Sequence, residues 1–206
     1  MRATQKFDRP RFPTPDAIPR TRIELTGARF VLGVVADTHS VPNAAGVRHL
    51  ADARPDAILH AGDIGATLEG HRDVLEMLSE IAPVHAVRGN IDTRAPDLPD
   101  FRLIDLESSV TGTPKLRLVL THIALSGPRL ITEVGRLATA CGASLVVCGH
   151  SHVPFLGQDR GLVAFNPGSI GPRRFRLPIL FGLIEVTEAS VNARHVDAET
   201  GAYWRP

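Results

Sequence analysis

The chain has 206 residues, 43% of them hydrophobic and 22% charged, with 23 basic against 22 acidic side chains and a net charge of +1. That is enough polypeptide for one domain with its own core, and too apolar a mixture for a disordered or fibrous chain. The even charge balance excludes a whole-surface electrostatic grip on nucleic acid, leaving only a local contact open, and no stretch approaches the roughly 18 apolar residues that a membrane span needs.

Residues 1–20 carry Pro10, Pro13, Pro15 and Pro19. Proline at that density sustains neither helix nor sheet interior, so an extended arm is expected, followed by one domain over residues 21–206. No apolar run follows the positive charge of Met1–Phe7, so no secretory signal is expected and the default compartment is the cytoplasm. Phe30–Ala36 is continuously apolar, as a strand covered on both faces should be. A short helix is predicted over Val47–Ala53 and a second strand over Asp56–His60. Val74, Leu75, Leu78 and Ile81 recur at helical spacing within His71–Ile81, and Val84–Val87 reads as a third strand. A hairpin-like pair follows at Phe101–Leu106 and Leu116–Leu120. Leu130, Val134, Leu137, Ala138 and Cys141 mark one face of another helix, and Leu145–Cys148 is again a buried strand. Beyond it strands alone are expected, at Leu162–Phe165, Ile179–Val186 and Val191–Val196. Alternating strands and helices, then a run of strands, suggest two stacked sheets with helices outside. Cys141 and Cys148 lie in apolar runs and are expected to be free thiols; two cysteines cannot build a four-thiolate zinc site.

The informative feature is what stands at the strand ends. They read Asp37-Thr38-His39, Gly62-Asp63, Gly89-Asn90-Ile91-Asp92, Thr121-His122 and Gly149-His150-Ser151-His152. In open α/β sheets ligands bind beyond the carboxyl ends of strands, so these segments deliver their polar groups to one rim. Carboxylates and imidazoles crowded into a partly dry site would stay unpaired at a cost of a few kcal/mol each. Divalent cations remove that cost, and mixed oxygen and imidazole donors suit manganese, iron or zinc. The donors are too many for one tetrahedral zinc and fit two ions sharing a carboxylate. Gly149-His150-Ser151-His152-Val153 misses a serine-nucleophile elbow, because Val153 occupies the position where that turn needs glycine.

These blocks, in this order, resemble the signature of the calcineurin-like metallophosphoesterases, above all their small bacterial and archaeal phosphodiesterase branch. The resemblance runs from Val31 to Arg174 and includes Asn166-Pro167-Gly168-Ser169. It implies an α/β fold, a four-layer αββα sandwich of two mixed sheets. It implies two divalent ions, manganese first, with zinc, iron or nickel as alternatives. Asp37, His39 and His152 would hold one ion and Asn90, His122 and His150 the other, with Asp63 bridging. The implied activity is hydrolysis of a small phosphate ester, a diester before a monoester, by in-line attack of a hydroxide bridging the ions. Asp63, Asn90 and His39 are the expected catalytic residues. Asn90 can offer its amide to a phosphate oxygen. His39 is a candidate proton donor to the leaving group, because Ile91 stands where larger relatives carry a histidine. Ile123 likewise stands where relatives often carry glycine.

Other readings stay open at this level. A relative in the retromer keeps the fold as an interaction scaffold without turnover. Asp92 either orients a ligand histidine or caps a loop. Arg88, Arg173, Arg174 and Arg176 either face the phosphate or sit on a solvated surface. His60 is expected to support or pack the site, and His49, His71, His85 and His195 to be structural. The arm and the terminal Tyr203-Trp204 leave a homodimer open.

Overall fold

Alternate residues of a strand point to opposite faces, so a strand buried along its whole length must serve two cores. In chain order the elements are β1 (Arg20–Leu25), β2 (Arg29–Val35), α1 (Ala44–Asp52), β3 (Ala57–His60), α2 (Leu68–Ser79), β4 (Val84–Ala86), β5 (Phe101–Ser108) and β6 (Pro114–Thr121). There follow β7 (Leu125–Ser126), β8 (Arg129–Leu130), α3 (Thr132–Ala140), β9 (Leu145–Val147), β10 (Phe155–Asp159), β11 (Leu162–Asn166), β12 (Leu180–Thr187), β13 (Val191–Asp197) and β14 (Tyr203–Trp204). This computed structural model describes residues 12–25, 27–108, 114–174 and 176–205.

The strands form two six-stranded mixed sheets, ordered β1-β5-β6-β9-β11-β10 and β14-β13-β12-β2-β3-β4, plus the small β7-β8 hairpin. Leu32 and Val34 of β2, Leu59 of β3, Leu118 and Leu120 of β6, Val147 of β9 and Phe165 of β11 fill the space between the sheets. The intervening residues face outward. Val119 and Val146 of the first sheet meet Val134, Leu137 and Ala138 of α3. Val35 and Ile58 of the second meet Leu50 of α1 and Val74 and Leu78 of α2. The result is the expected four-layer αββα sandwich of two mixed sheets.

Both helices on the second sheet start earlier than their apolar periodicity predicts. Asn43 accepts from the Gly46 amide and Thr67 from the Gly70 amide. These side-chain caps satisfy otherwise orphaned donors, so the first turn forms ahead of the apolar face. Residues 1–11 of the expected arm lie outside the described residues. Its remainder is tied down: Pro15–Ala17 make a 3₁₀ turn, Ile18 is buried, Phe12 stacks obliquely on Phe101 with centroids 5.7 Å apart, and Arg20 already opens β1. The terminal Tyr203-Trp204 is ordered without a partner, because it pairs with Val196 and His195 of the same chain. Both cysteines are free and buried, and burial pushes the Cys148 thiol up to about 12. No helix among the described residues is long and apolar enough to cross a membrane.

One charge is buried in the first sheet. The fully buried Asp105 of β5 accepts from Arg20 of β1 at 2.5 Å and from Arg117 of β6 at 2.6 Å. Arg117 also donates to the Cys141 carbonyl at the end of α3, 3.1 Å away. Burial opposes ionisation of Asp105, but the bonds from Arg117 and Arg20 outweigh it and hold the carboxyl below its usual range. The stabilisation it contributes is therefore present at neutral pH and is lost as pH falls through that depressed value. Asp105→Asn should lower the unfolding free energy at pH 7 by about 3 kcal/mol, since it leaves two guanidinium groups without their counter-charge. Urea melts of both proteins at pH 7 and pH 3 check this, and the gap should shrink at the acid end.

Candidate metal centre

The strand ends converge at one rim, and each sheet supplies part of the donor set. Asp37 and His39 follow β2, Asp63 follows β3 and Asn90 follows β4; His122 follows β6, and His150 and His152 follow β9. The turns run alongside one another. The His39 amide donates to the Asp63 carbonyl at 3.0 Å, and the Gly149 amide to the His122 carbonyl at 3.0 Å. Across the sheets, the His150 amide donates to Asp37 Oδ2 at 3.0 Å.

The backbone there is unusual. Eight described non-glycine residues have positive φ, and six of them are Asp37, His39, Ser40, Asp63, His150 and His152. The left-handed region costs a residue with a Cβ roughly 1–3 kcal/mol, although Asp and His tolerate it better than most. Such a turn ends a strand abruptly and aims its side chain back at the rim. Glycine is required where the turns touch. A Cβ on Gly89 would lie 2.1 Å from the Asp63 amide nitrogen, and Gly62, at φ +88°, would put one 2.7 Å from His122 Nδ1.

The side chains gather into two groups, Asp37 with His39 and His152, and Asp63 with His122 and His150. In each group the donor atoms lie within 4.8 Å of one another. Asp63 stands between them, with Oδ1 3.2 Å from His122 Nε2 and Oδ2 3.9 Å from His39 Nε2. Asn90 Oδ1 joins the second group, 3.1 Å from His122 Nε2 and 2.8 Å from His150 Nδ1. In the first group His39 Nε2 and His152 Nε2 face each other at 3.3 Å, and Asp37 Oδ1 is 3.5 Å from His152 Nε2.

This donor set fits cations better than it fits itself. His122 Nδ1 is 2.7 Å from the Ala61 carbonyl, which can only accept, so Nδ1 carries the proton. In the neutral ring Nε2 is then a lone pair pointing at two oxygen acceptors. Burial opposes a second proton, but the hydrogen bond to Asp63 and the nearby carboxylates prevail and raise the His122 pKa. Asp63 shows the converse. Burial would raise it, but the His122 bond and charge hold it at about 2. At Asp37 burial outweighs the His122 charge and the His150 amide and pushes the carboxyl up to about 7, and its Oδ1 has no hydrogen-bond partner. Burial, reinforced by Arg174 and His39, takes His152 down to about 4, and burial with Arg174 lowers His39. Neutral imidazoles and an orphaned carboxylate oxygen are what divalent cations take as ligands.

Groups behind the donors hold the turns. Asp92 proves to be a loop cap: it accepts from the amides of Ile64, Gly65 and Gly89 at 2.9, 3.0 and 2.7 Å and touches no ligand histidine. His60, fully buried with its pKa taken down to about 3 by burial, accepts from the Gly62 amide and donates to Thr38, which donates to the Ile64 carbonyl. Asn166 Nδ2 donates to the Gly149 carbonyl at 2.7 Å, and Ser169 Oγ to the Asp37 carbonyl at 2.9 Å. Ile91 contributes its amide to Asp63 Oδ1 at 3.1 Å. Arg88 pairs with Asp100 at 2.8 Å. Ile123 leaves His122 in place beside Asp63 and Asn90.

Two mixed sheets with a rim of carboxylate, amide and imidazole donors have the form of a metal-binding α/β sandwich. The model of the calcineurin-like phosphoesterase superfamily domain matches residues 30–189, and the chain belongs to that superfamily as a metallophosphoesterase. It is 35% identical over 145 residues to a probable metallophosphoesterase of Methanothermobacter thermautotrophicus, covering 68% of this chain and 77% of that one. It is 31% identical over 139 residues to phosphodiesterase YfcE of Escherichia coli, covering 66% and 72%. Among solved structures, Vacuolar Protein Sorting 29 of Cryptosporidium parvum shares the fold, with TM-score 0.64 at 16% identity, covering 86% of this chain and 95% of that one.

Protons compete with cations for these atoms. Asp37, raised to about 7, and His122, also raised, must lose their protons to become ligands. Manganese binding should therefore release protons at pH 6 and fewer at pH 8, with affinity falling as the solution is acidified below 7. Calorimetry at each pH, in buffers of different ionisation enthalpy, measures the proton count directly.

Proposed function

We propose that the rim holds two divalent ions, manganese first, and that the protein is a phosphodiesterase acting on a small phosphate ester. Asp37, His39 and His152 are assigned to one ion, Asn90, His122 and His150 to the other, and Asp63 to both. The observation that carries this reading is the position of Asp63, whose two oxygens address different donor groups. The diester preference rests on the relative named a phosphodiesterase. The phosphoesterase domain is assigned from Arg20, which opens β1, rather than from residue 21, and its site of action is assigned to the cytoplasm.

When bound, the ions would supply charge neutralisation for the phosphate and an activated water for in-line attack. The chain's own residues do the rest. Asn90 presents Oδ1 to the donor group, so its Nδ2 is left to donate to a phosphoryl oxygen. The hydrogen bond donated by the Ile91 amide to Oδ1 holds Asp63 in the orientation that divides its oxygens. Ile91 has no side-chain proton to give to a departing alkoxide. His39 is the candidate donor the sequence offers, and burial, with the Arg174 charge, lowers its pKa and so disfavours the imidazolium form. Esters with acidic leaving groups should therefore be the better substrates.

With manganese, the protein should turn over an aryl phosphodiester at least about tenfold faster than an alkyl one, since each 1.4 kcal/mol of lost leaving-group assistance is tenfold in rate. Equal turnover would show that another group protonates the leaving oxygen. Asp63→Asn and His150→Ala should each lower kcat by two orders of magnitude or more and reduce bound manganese, read by elemental analysis. A faster rate on aryl monoesters would reassign the substrate class. Stoichiometric metal with no turnover of either ester would favour the interaction scaffold that the likeness to Vacuolar Protein Sorting 29 leaves open.

A further inference from the structure

Among Arg88, Arg173 and Arg174, surroundings separate one from the other two. Arg88 is held by Asp100. Arg173 turns away, donating to the Leu177 carbonyl at 2.9 Å and pairing with Glu199. Arg174 pairs with no carboxylate among the described residues, and its Nη2 lies 3.3 Å from His39 Nε2. A guanidinium can only donate, so it offers its N–H to the same lone pair that faces His152.

The segment that carries Arg174 is fixed to the site. Between β11 and β12 the Asn166 side chain bonds the Gly149 carbonyl, Ser169 Oγ bonds the Asp37 carbonyl, and the Ile170 amide donates to Ala36 at 3.2 Å. The turn is thus tied to the ends of β9 and β2, and the backbone delivers Arg174 to the rim in one place. Its head is exposed and its stem flexible, so small movements cost little desolvation. A cation held by His39 would repel the guanidinium by like charge, and an anion spanning the site would attract it.

We propose that Arg174 is a substrate-contact residue that holds a non-bridging phosphoryl oxygen of the ester and of the product phosphate. The planar N–H fork matches two phosphoryl oxygens, which an ammonium does not. This rests on the phosphoesterase reading above.

The test measures binding apart from turnover. Inorganic phosphate is titrated calorimetrically into manganese-loaded wild type, Arg174→Ala, Arg174→Lys and Arg136→Ala, the last removing the same charge from the exposed face of α3. Arg174→Ala should weaken phosphate binding on the order of 10- to 100-fold and raise KM for an aryl phosphodiester by a similar factor, with kcat changed less. Arg174→Lys should fall between, and Arg136→Ala should match wild type. Metal content should stay at the wild-type level throughout. Unchanged phosphate affinity in Arg174→Ala, in a protein whose wild type binds phosphate and turns over, would overturn the proposal alone. A manganese-loaded wild type that neither binds phosphate nor hydrolyses any ester would overturn the phosphoesterase reading and this with it.

Discussion

Acceptors face acceptors at the rim, and that confrontation governs the molecule. His122 Nε2 meets Asp63 and Asn90 oxygens, and His39 meets His152 nitrogen to nitrogen. Protons relieve part of the conflict, as the raised His122 and Asp37 values record. They cannot relieve all of it, because Asp37 Oδ1 and His152 Nδ1 remain buried without partners. A buried polar group without a partner costs about 1–3 kcal/mol. A fold does not gather several such groups in one place unless something else completes them, and the superfamily to which the chain belongs uses divalent cations for that purpose.

The convergence is bought with backbone strain. Six non-glycine residues at positive φ, at roughly 1–3 kcal/mol each, represent a sum comparable to the net stability of an ordinary domain. The surroundings must therefore over-determine those turns. Asp92 ties three amides from two turns, the His60–Thr38–Ile64 chain locks the turn after β2 to the one after β3, and Asn166 with Ser169 binds the far sheet to the near one. Every one of these groups is buried and has its hydrogen bonds made, so the network is rigid where the donors need to be placed.

The central strands and the donor residues were legible in the sequence for one shared reason: both are written in local patterns. A strand covered on two faces must be apolar throughout, and an Asp or His directly after such a run has nowhere to go but the rim. The elements that escaped detection lack that pattern. β1 alternates exposed and half-buried residues at a sheet edge, where Arg20 and Arg22 mask Ile23 and Leu25. β10 carries Gly157 and Gln158, and β14 has two residues. β10 and β14 pair with their chain neighbours β11 and β13 and are too weak in composition or too short to read, whereas β1 is held by pairing with the distant β5, which no local pattern records. The same limit applies in the site. Asp92 as a loop cap, the isolation of Arg174, and the positive φ values depend on what lies opposite in space, not on neighbours in sequence.

The division of donors between the sheets explains why the sandwich is more than a support. The oxygen donors Asp37, Asp63 and Asn90 all come from the sheet containing β2, β3 and β4, whereas the sheet containing β6 and β9 contributes imidazoles alone. Each donor group draws on both. Either sheet by itself would present an all-oxygen rim with one histidine or a purely nitrogen one, and these favour different metals. The mixed character of the site therefore exists only when Leu32, Val34, Leu118, Leu120 and Phe165 bring the sheets together in register. Inter-sheet packing, a non-directional force, thereby sets the mix of donors at the rim, because the packed strands run on into the turns that carry them.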